Sequence, residues 1–435
     1  MQFGHGTHKH VVGERSGPVV SVVLATHNRR DVVLETLKRL STLAGEISLE
    51  IIVVDNTSVD GTSDAIRIAF PNVQLIESPV NAGSCAKGIG VAETSGKYLL
   101  FLDDDSYPHA GSIERMVAYF EVDHRLGAAG FRVHLPESGG EECAALPDVF
   151  VGCGVGLRRS AYEEVGGLDV SFFMQAEEYD LAFRLAGAGY GVRLFDDLHV
   201  DHLKTPHARL SARTVYYDTR NNLIVAARHL PDEYHRVYSR DWLQRYSWLA
   251  VEASHRSAFA RGAVFGWAQA TRERAHERAE FLDKASLEHF FGWDAIAERM
   301  GSLKSQGVQT VLLAGLGKNV FAYVRGARKV GVQVLGIADD RFDAGSRRYR
   351  RIPVLGEKAG ISMGADVVVI SDMAPVHAAR RAERIREAGG AEVVNWTRVM
   401  PPNMGTDEVL TGPLKPLEGH QNADVQGGMV WQVVH

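Results

Sequence analysis

Cysteine is scarce in this chain. Its 435 residues hold three, Cys85, Cys143 and Cys153, at no framework spacing. A reducing cytoplasm is therefore expected rather than an oxidising compartment. Long apolar runs are missing too: none reaches the roughly 20 residues of a membrane-spanning helix. The segment 1–17 is rich in His and Gly and lacks the apolar centre of a signal peptide. Its His5, His8 and His10 read as part of a flexible arm rather than a metal site. There is no basic surplus either. The formal net charge is −6, which argues against a nucleic-acid binder, for which a basic face is expected. What is left is ordinary for a soluble protein, with 45% hydrophobic and 23% charged residues. The length sets a prior of two to three domains.

Order begins at Val19. The run Val19–Leu24 is continuous and β-branched, the pattern of a strand buried on both faces. It ends at Thr26-His27-Asn28-Arg29, and Asp31 opens a helix with apolar Val33, Leu34, Leu37 and Leu40. A second buried strand, Glu50–Val54, ends at Asp55, and a helix follows over about 63–70. A short strand at Val73–Ile76 precedes Asn81-Ala82-Gly83 and a small-residue helix to Thr94. Strand and helix in this alternation specify a doubly wound, mostly parallel sheet. Ligands of such sheets lie beyond the carboxyl ends of the strands.

The next strand, Tyr98–Leu102, runs straight into Asp103, Asp104 and Asp105. Like charges crowded at a strand end repel unless a cation neutralises them. Strand alternation points Asp103 and Asp105 the same way. Paired hard oxygens suit Mg²⁺ or Mn²⁺, although an acidic solvated turn would look the same in isolation.

The stretches "VVLATHNRRDVVLETLKRL", "EIIVVDNTSVDGTSD" and "FLDDDSYP", with Asn81-x-Gly83 between them, resemble the catalytic domain of glycosyltransferase family 2, of the GT-A type. Downstream, "GCGVGLRRSAYEEVGGLD", "EEYDLAFR", "LHVDHL" and "YYDTRNNL" continue the pattern, so the resemblance covers about 18–230. It implies a metal-dependent, inverting hexosyltransferase that moves sugar from a nucleotide-diphosphate sugar to a saccharide or lipid-linked acceptor. Surface polysaccharide or glycolipid synthesis is the setting it implies. Thr26, Asp55, Asn81, Gly83, Asp103 and Asp104 are the implied donor contacts, and Asp105 with His202 the implied Mg²⁺ or Mn²⁺ ligands. Asp55 could equally be a turn or helix-cap residue. Arg29 and Asn28 are expected to hold their loop. Lys87-Gly88 stand where the family has an Asn. Glu178, where the family more often has Asp, is the implied general base, and Asp180 its understudy. A non-catalytic sugar-nucleotide binder or scaffold is the rival reading. Cys153 is expected to be a small buried residue.

From Pro231 the pattern turns helical, with many aromatic and Arg residues over 231–301. Such helices can lie on an anionic bilayer, giving peripheral contact at the inner face of a membrane. A packed helical connector is the commoner arrangement and the one expected. A second, smaller Rossmann-like α/β domain is predicted over 302–400, beginning with the strand and turn Thr310–Gly317. Gly315, Gly317 and Asp339 sit where a dinucleotide fingerprint would bind diphosphate and ribose. Val320 occupies the third glycine position, and Lys318 reads as a surface charge. The domain is therefore expected to bind nucleotide weakly or not at all, and to be mainly architectural. The tail, 401–435, is expected to be loose.

Overall fold

The β-branched runs become the parallel half of a large sheet. In the computed structural model, residues 17–43, 47–203, 211–275, 281–389 and 392–397 are described. Most of the N-terminal arm and the whole C-terminal tail lie outside them. Strands β1 (Val20–Thr26), β2 (Leu49–Asp55), β3 (Gln74–Glu77) and β4 (Tyr98–Asp103) pair in parallel in the order β3-β2-β1-β4. Thr26 is level with Asp55, and Ala25 with Asp103, so three polar strand ends reach one edge together.

Beyond β4 the sheet turns mixed. Strands β5 (Ser106–Pro108), β6 (Leu126–Leu135), β7 (Gly140–Glu142), β8 (Gly154–Arg158) and β9 (Gly191–His202) complete nine strands among the described residues. Antiparallel pairing of β4 with β8 sets Leu102 opposite Gly154, which brings Cys153 beside the aspartates. Pairing of β5 with β9 sets Ser106 opposite His202. Residues 50 to 100 positions apart are thereby gathered at one strand end.

Helices α1 (Arg30–Ser41), α2 (Thr62–Ala69), α3 (Lys87–Val91), α4 (Ser112–Val122), α5 (Arg159–Glu164) and α6 (Glu177–Gly187) cover the two faces. Val22, Leu24, Leu100 and Leu102 pack with Leu37 of α1 and Phe120 of α4. Val23, Leu99 and Phe101 point the other way, toward Ala161, Leu181 and Phe183. Period-two alternation thus splits each strand between two cores.

Helices α7 (Ala212–His229), α8 (Asp232–Glu252), α9 (Arg256–Ala275), α10 (Lys284–Phe291) and α11 (Trp293–Ser305) then lead to a second sheet. Its strands are β10 (Thr310–Ala314), β11 (Gln333–Ala338), β12 (Arg348–Tyr349), β13 (Ile352–Leu355), β14 (Val367–Ile370) and β15 (Glu392–Asn395), in the order β12-β13-β11-β10-β14-β15. Only the β12–β13 pair is antiparallel. Helices α12 (Val320–Val330), α13 (Glu357–Ile361) and α14 (Pro375–Ala388) cover it. The helices between the sheets are more than a spacer. Phe183, Ile224, Tyr238, Trp242, Phe291, Leu313 and Val369 belong to one continuous buried cluster. No described helix is long and apolar enough to cross a membrane.

Candidate active site

The three aspartates have three different environments. β4 ends at Asp103, so Asp104 and Asp105 sit in the turn and not on the pleat. The Asp103 side chain is 38% exposed, against 6% for Asp104 and 5% for Asp105. Arg29 forks across the two buried ones, its Nη1 2.9 Å from Asp104 Oδ1 and its Nη2 2.7 Å from Asp105 Oδ2. Thr26 Oγ1 donates to Asp104 Oδ2 at 2.7 Å. Burial pushes Asp104 up to about 6 against the pull of Arg29 and Thr26. Burial would raise Asp105 as well, but His202 and Arg29 outweigh it and hold that carboxyl well below the usual range.

His202 is the hub of this edge. Its Nε2 lies 3.1 Å from Asp105 Oδ1 and 3.9 Å from Asp103 Oδ2, and its Nδ1 lies 3.2 Å from Glu142 Oε2. Burial would lower its pKa, but Cys153, Asp105 and Glu142 push it up to about 12. Ligand atoms of Asp103, Cys153 and His202 all lie within 4.8 Å of one another. Asp105 Oδ1 is buried without a well-aligned hydrogen bond, although Nε2 is close by. A buried carboxylate oxygen whose nearby group is an imidazole, itself backed by a second carboxylate, fits a divalent cation. The ion would take the place of the imidazolium proton. Asp103 and Asp105, separated by the turn, still converge on the same nitrogen.

Two polar positions here were not assigned from sequence. Lys87, where the family has an Asn, is buried, and its Nζ donates to Asp103 Oδ1 at 2.6 Å and to Gly152 O at 2.7 Å. Burial would lower that ammonium, but Asp103 more than compensates and raises it. The second is Glu142 of β7, which orients His202. Neither carries a local sequence signal: Lys87 is brought in at the start of α3 and Glu142 by β7, 60 residues from His202.

On the donor side the sequence places residues at the right edge but gives several of them local work. Asp55 Oδ1 accepts from Ser58 N at 2.8 Å, and its Oδ2 accepts from Ser63 Oγ, so it braces the entry to α2. Asn81 Oδ1 accepts from Gly83 N at 2.9 Å. Gly83 has φ +63, and a Cβ there would lie 2.1 Å from Phe173 O. Only glycine permits that approach. It ties the Asn81 turn to the segment that precedes α6.

That segment is strained. Phe173, Gln175 and Ala176 all have positive φ near +65, each costing about 1–3 kcal/mol. Asn221, from the "RNN" stretch of α7, holds it: Nδ2 faces Phe172 O, Met174 O and Gln175 O at 2.8–2.9 Å. The result places Glu177 and Glu178 on the first turn of α6. Ser84 Oγ donates to Glu177 Oε1, which links α6 to the Gly83 turn. Burial, then repulsion from Glu177, raises the Glu178 carboxyl well above the usual range. Asp180 is different. Its Oδ1 meets Arg228 Nη1 at 2.9 Å and His229 Nε2 at 2.8 Å, and its Oδ2 meets Arg184 Nη2 at 2.7 Å. Burial is outweighed by His229, Arg184 and Arg228, and Asp180 is held well below the usual range. It anchors α6 to α7 and has no lone pair left for a substrate proton.

The glycine turn of the second domain is closed. Asp339 Oδ2 accepts from Leu316 N at 2.8 Å and Arg381 Nη1 at 3.2 Å, and Oδ1 from Arg341 N at 3.1 Å. The acid that a ribose would need is spent on its own turn. Trp242 Nε1 of α8 donates to Lys318 O at 2.9 Å, and Arg245 donates to Leu316 O. Between α8 and the turn, lined by Trp242, Trp248 and Gly317, there is a cavity of about 10 Å³, room for about one water. Lys318 is not a surface charge, contrary to expectation. Only 9% exposed, it donates from Nζ to Asn222 Oδ1 at 2.8 Å.

Residues 21–142 match the family model described as Glycosyl transferase family 2. A probable glycosyltransferase of Bacillus subtilis, YdaM, is 29% identical over 211 residues, 41% of this chain and 49% of that protein. The glycosyltransferase AglE of Haloferax volcanii is 34% identical over 106 residues, 23% of this chain and 35% of that protein. An N-acetylglucosaminyl-diphospho-decaprenol L-rhamnosyltransferase of Mycobacterium tuberculosis is 25% identical over 221 residues, 40% of this chain and 72% of that protein. The chain spans about half the length of the first of these relatives and less of the second.

Proposed function

We propose that this chain, which carries a glycosyltransferase family 2 domain, transfers a sugar with inversion from a nucleoside-diphosphate sugar to a hydroxyl acceptor. The observation that supports this best is the pairing of two unlike carboxylate sites. At the strand ends, Asp105, His202 and Glu142 form a cation-ready edge beside Asp103 and Lys87. On the first turn of α6, Glu178 is a carboxyl raised well above the usual range by burial and by Glu177. Lys87 donates to Asp103, and its charge is also felt by Glu177.

Asp105 and His202 would hold Mg²⁺ or Mn²⁺, with Asp103 beside them. When bound, such an ion supplies Lewis-acid stabilisation of the departing diphosphate. Thr26, Asp55, Asn81, Gly83 and Asp104 form the donor side, with Thr26 and Asp104 held together and Arg29 fixing the loop. The acceptor oxygen attacks the anomeric carbon opposite the diphosphate. A new glycosidic C–O bond forms as the C–O bond to diphosphate breaks, and the diphosphate leaves with the electron pair. Glu178 accepts the acceptor's proton, which requires a carboxylate within hydrogen-bond reach. The acceptor class is a saccharide or lipid-linked saccharide, as the name of the mycobacterial relative suggests. Surface polysaccharide or glycolipid synthesis is the corresponding setting.

A cytoplasmic protein meeting such an acceptor would do so at the membrane's inner face. Val264, Phe265 and Trp267 of α9 are exposed apolar side chains available for that contact. Cosedimentation with anionic vesicles tests it, and protein remaining in the supernatant removes the idea.

The central test is release of nucleoside diphosphate from UDP-glucose, UDP-N-acetylglucosamine, GDP-mannose and dTDP-rhamnose, with Mn²⁺ and with EDTA. Wild type should turn over at least one donor with Mn²⁺, and Glu178→Gln should keep donor affinity while losing kcat. Donor binding without turnover in wild type would instead make the chain a sugar-nucleotide binder.

A further inference from the structure

The second domain sends one cation into the first. Lys318 follows the Gly315-Leu316-Gly317 turn after β10, and its backbone is held by Trp242 through the 2.9 Å bond to its carbonyl. Next to it, Asn319 Nδ2 donates to Phe291 O at 2.8 Å, and Tyr238 donates to Asn319 Oδ1. So braced, the side chain crosses the interface. Its Nζ lies 2.8 Å from Asn222 Oδ1, 4.0 Å from the centre of the Tyr179 ring and 5.5 Å from that of Trp242. Tyr179 directly follows Glu178, and Asn222 stands one helical turn after Asp218. A buried ammonium held by one neutral amide and two aromatic rings is costly unless carboxylates face it.

We propose that Lys318 is a positioning residue of the acceptor side, supplying the fixed positive charge that Glu178 and Asp218 face, so that the second domain completes the catalytic centre. This rests on Glu178 being the base. It accounts for a glycine turn that keeps its shape while its crevice is filled: the turn's work is to aim Lys318. The groups that act on Glu178 are Glu177 on its own helix and Lys318; Glu178 in turn bears on Cys85, Tyr179 and Tyr246. The charges of Asp218, Glu178 and Arg245 act on Lys318 in turn. Arg245 and Arg341 also act on Asp218, which burial pushes up to about 6. Burial pushes Lys318 down to about 8, opposed by Asp218 and Glu178, so it is charged at neutral pH.

The sign follows directly. Removing a positive charge disfavours the carboxylate, so Glu178 would stay protonated to higher pH. The full-length protein carrying Lys318→Met or Lys318→Gln is titrated by infrared difference spectroscopy. The protonated-carboxyl band of Glu178 is assigned by its loss in Glu178→Gln. The expected result is an upward move of the band's midpoint by about one pH unit or more. The acid limb of kcat for donor turnover should move with it, and donor KM should stay within about twofold. Two variants are used so that one poor folder, detected by circular dichroism, leaves the other to decide. A merely structural lysine would lower activity equally at every pH. Midpoints equal to wild type in a folded variant would overturn the proposal. The band reports on Lys318 whether or not Glu178 is the base: Glu178→Gln retaining turnover would sink that reading while the titration still measures the coupling.

Discussion

At the carboxyl end of β4, Asp103 keeps 38% of its side chain in solvent beside two buried aspartates and a histidine. At the carboxyl end of β11, beside the turn that follows β10, Asp339 is 5% exposed and already accepts from Leu316, Arg341 and Arg381. Both are acids beyond parallel strands, where doubly wound sheets bind ligands. What separates them is what lies above. The first edge leaves a buried carboxylate oxygen without a well-aligned partner, whereas the second is capped by Trp242 and Arg245 of α8. A strand end stays available only where its polar groups are left incompletely satisfied, because a satisfied and covered group has nothing to offer a ligand.

The sharpest sorting of acids into anchors and reagents comes from Asp180. Asp180→Asn should cost about 3–5 kcal/mol in urea unfolding at pH 7, because Arg184 and Arg228 lose their shared carboxylate and buried His229 loses its partner. The wild-type carboxyl is held down in the folded state, so its contribution is present above the unfolded value near 3.9. It is lost as pH falls toward the folded value. The variant should therefore show a shallower loss of stability below about pH 4. Equal acid sensitivity in the two proteins would count against the anchoring role.

The cap itself is tested by Trp242→Ala. Loss of a fully buried indole and its bond to Lys318 should cost about 3–5 kcal/mol, read from the denaturation midpoint. A loss under about 1 kcal/mol would mean the two domains hold together without this plug.

The open edge is tested by Asp105→Asn, which keeps the size of the side chain. Mn²⁺-dependent turnover should fall at least about 100-fold, equivalent to roughly 2.7 kcal/mol, and wild type with EDTA should fall alike. Undiminished wild-type activity in EDTA would remove the metal from the reading.

The smallest effect is expected at the closed turn. Asp339→Ala should destabilise by about 1–3 kcal/mol through the unpaired Leu316 and Arg341 amides. Neither NAD, NADP nor sugar nucleotides should bind this turn, by calorimetry on a full-length chain whose first site is disabled by Asp105→Asn. Micromolar affinity that disappears in Asp339→Ala would make the second turn a ligand site and erase the contrast.

Much of the first site was legible because its residues end buried strands. β1, β2 and β4 are marked by continuous β-branched or apolar runs, and their last residues include Thr26, Asp55 and Asp103. The late His202 could be placed by motif order alone. Lys87 and Glu142 could not: they meet Asp103 and His202 across separations of 16 and 60 residues. Lys318 was misread because a glycine-flanked lysine in a turn looks solvated. What buries it, Trp242 and Asn222, lies 76 and 96 residues away.

Sequence by itself determined that two α/β sheets would form, which strand ends would be polar and which acids would gather there. Those are consequences of local periodicity and of residue type at the ends of strands. The tertiary structure decided which acids are anchored and which are poised. Asp180 and Asp339 lost their lone pairs to arginines, a histidine and turn amides, while Asp105 kept one oxygen without a well-aligned hydrogen bond and Glu178 was raised by burial and by Glu177. It also decided that α8 would fill one crevice and steer Lys318 toward the other. Availability depends on what packs over a group, and packing is fixed by contacts between segments far apart in the chain, which carry no local periodic signal.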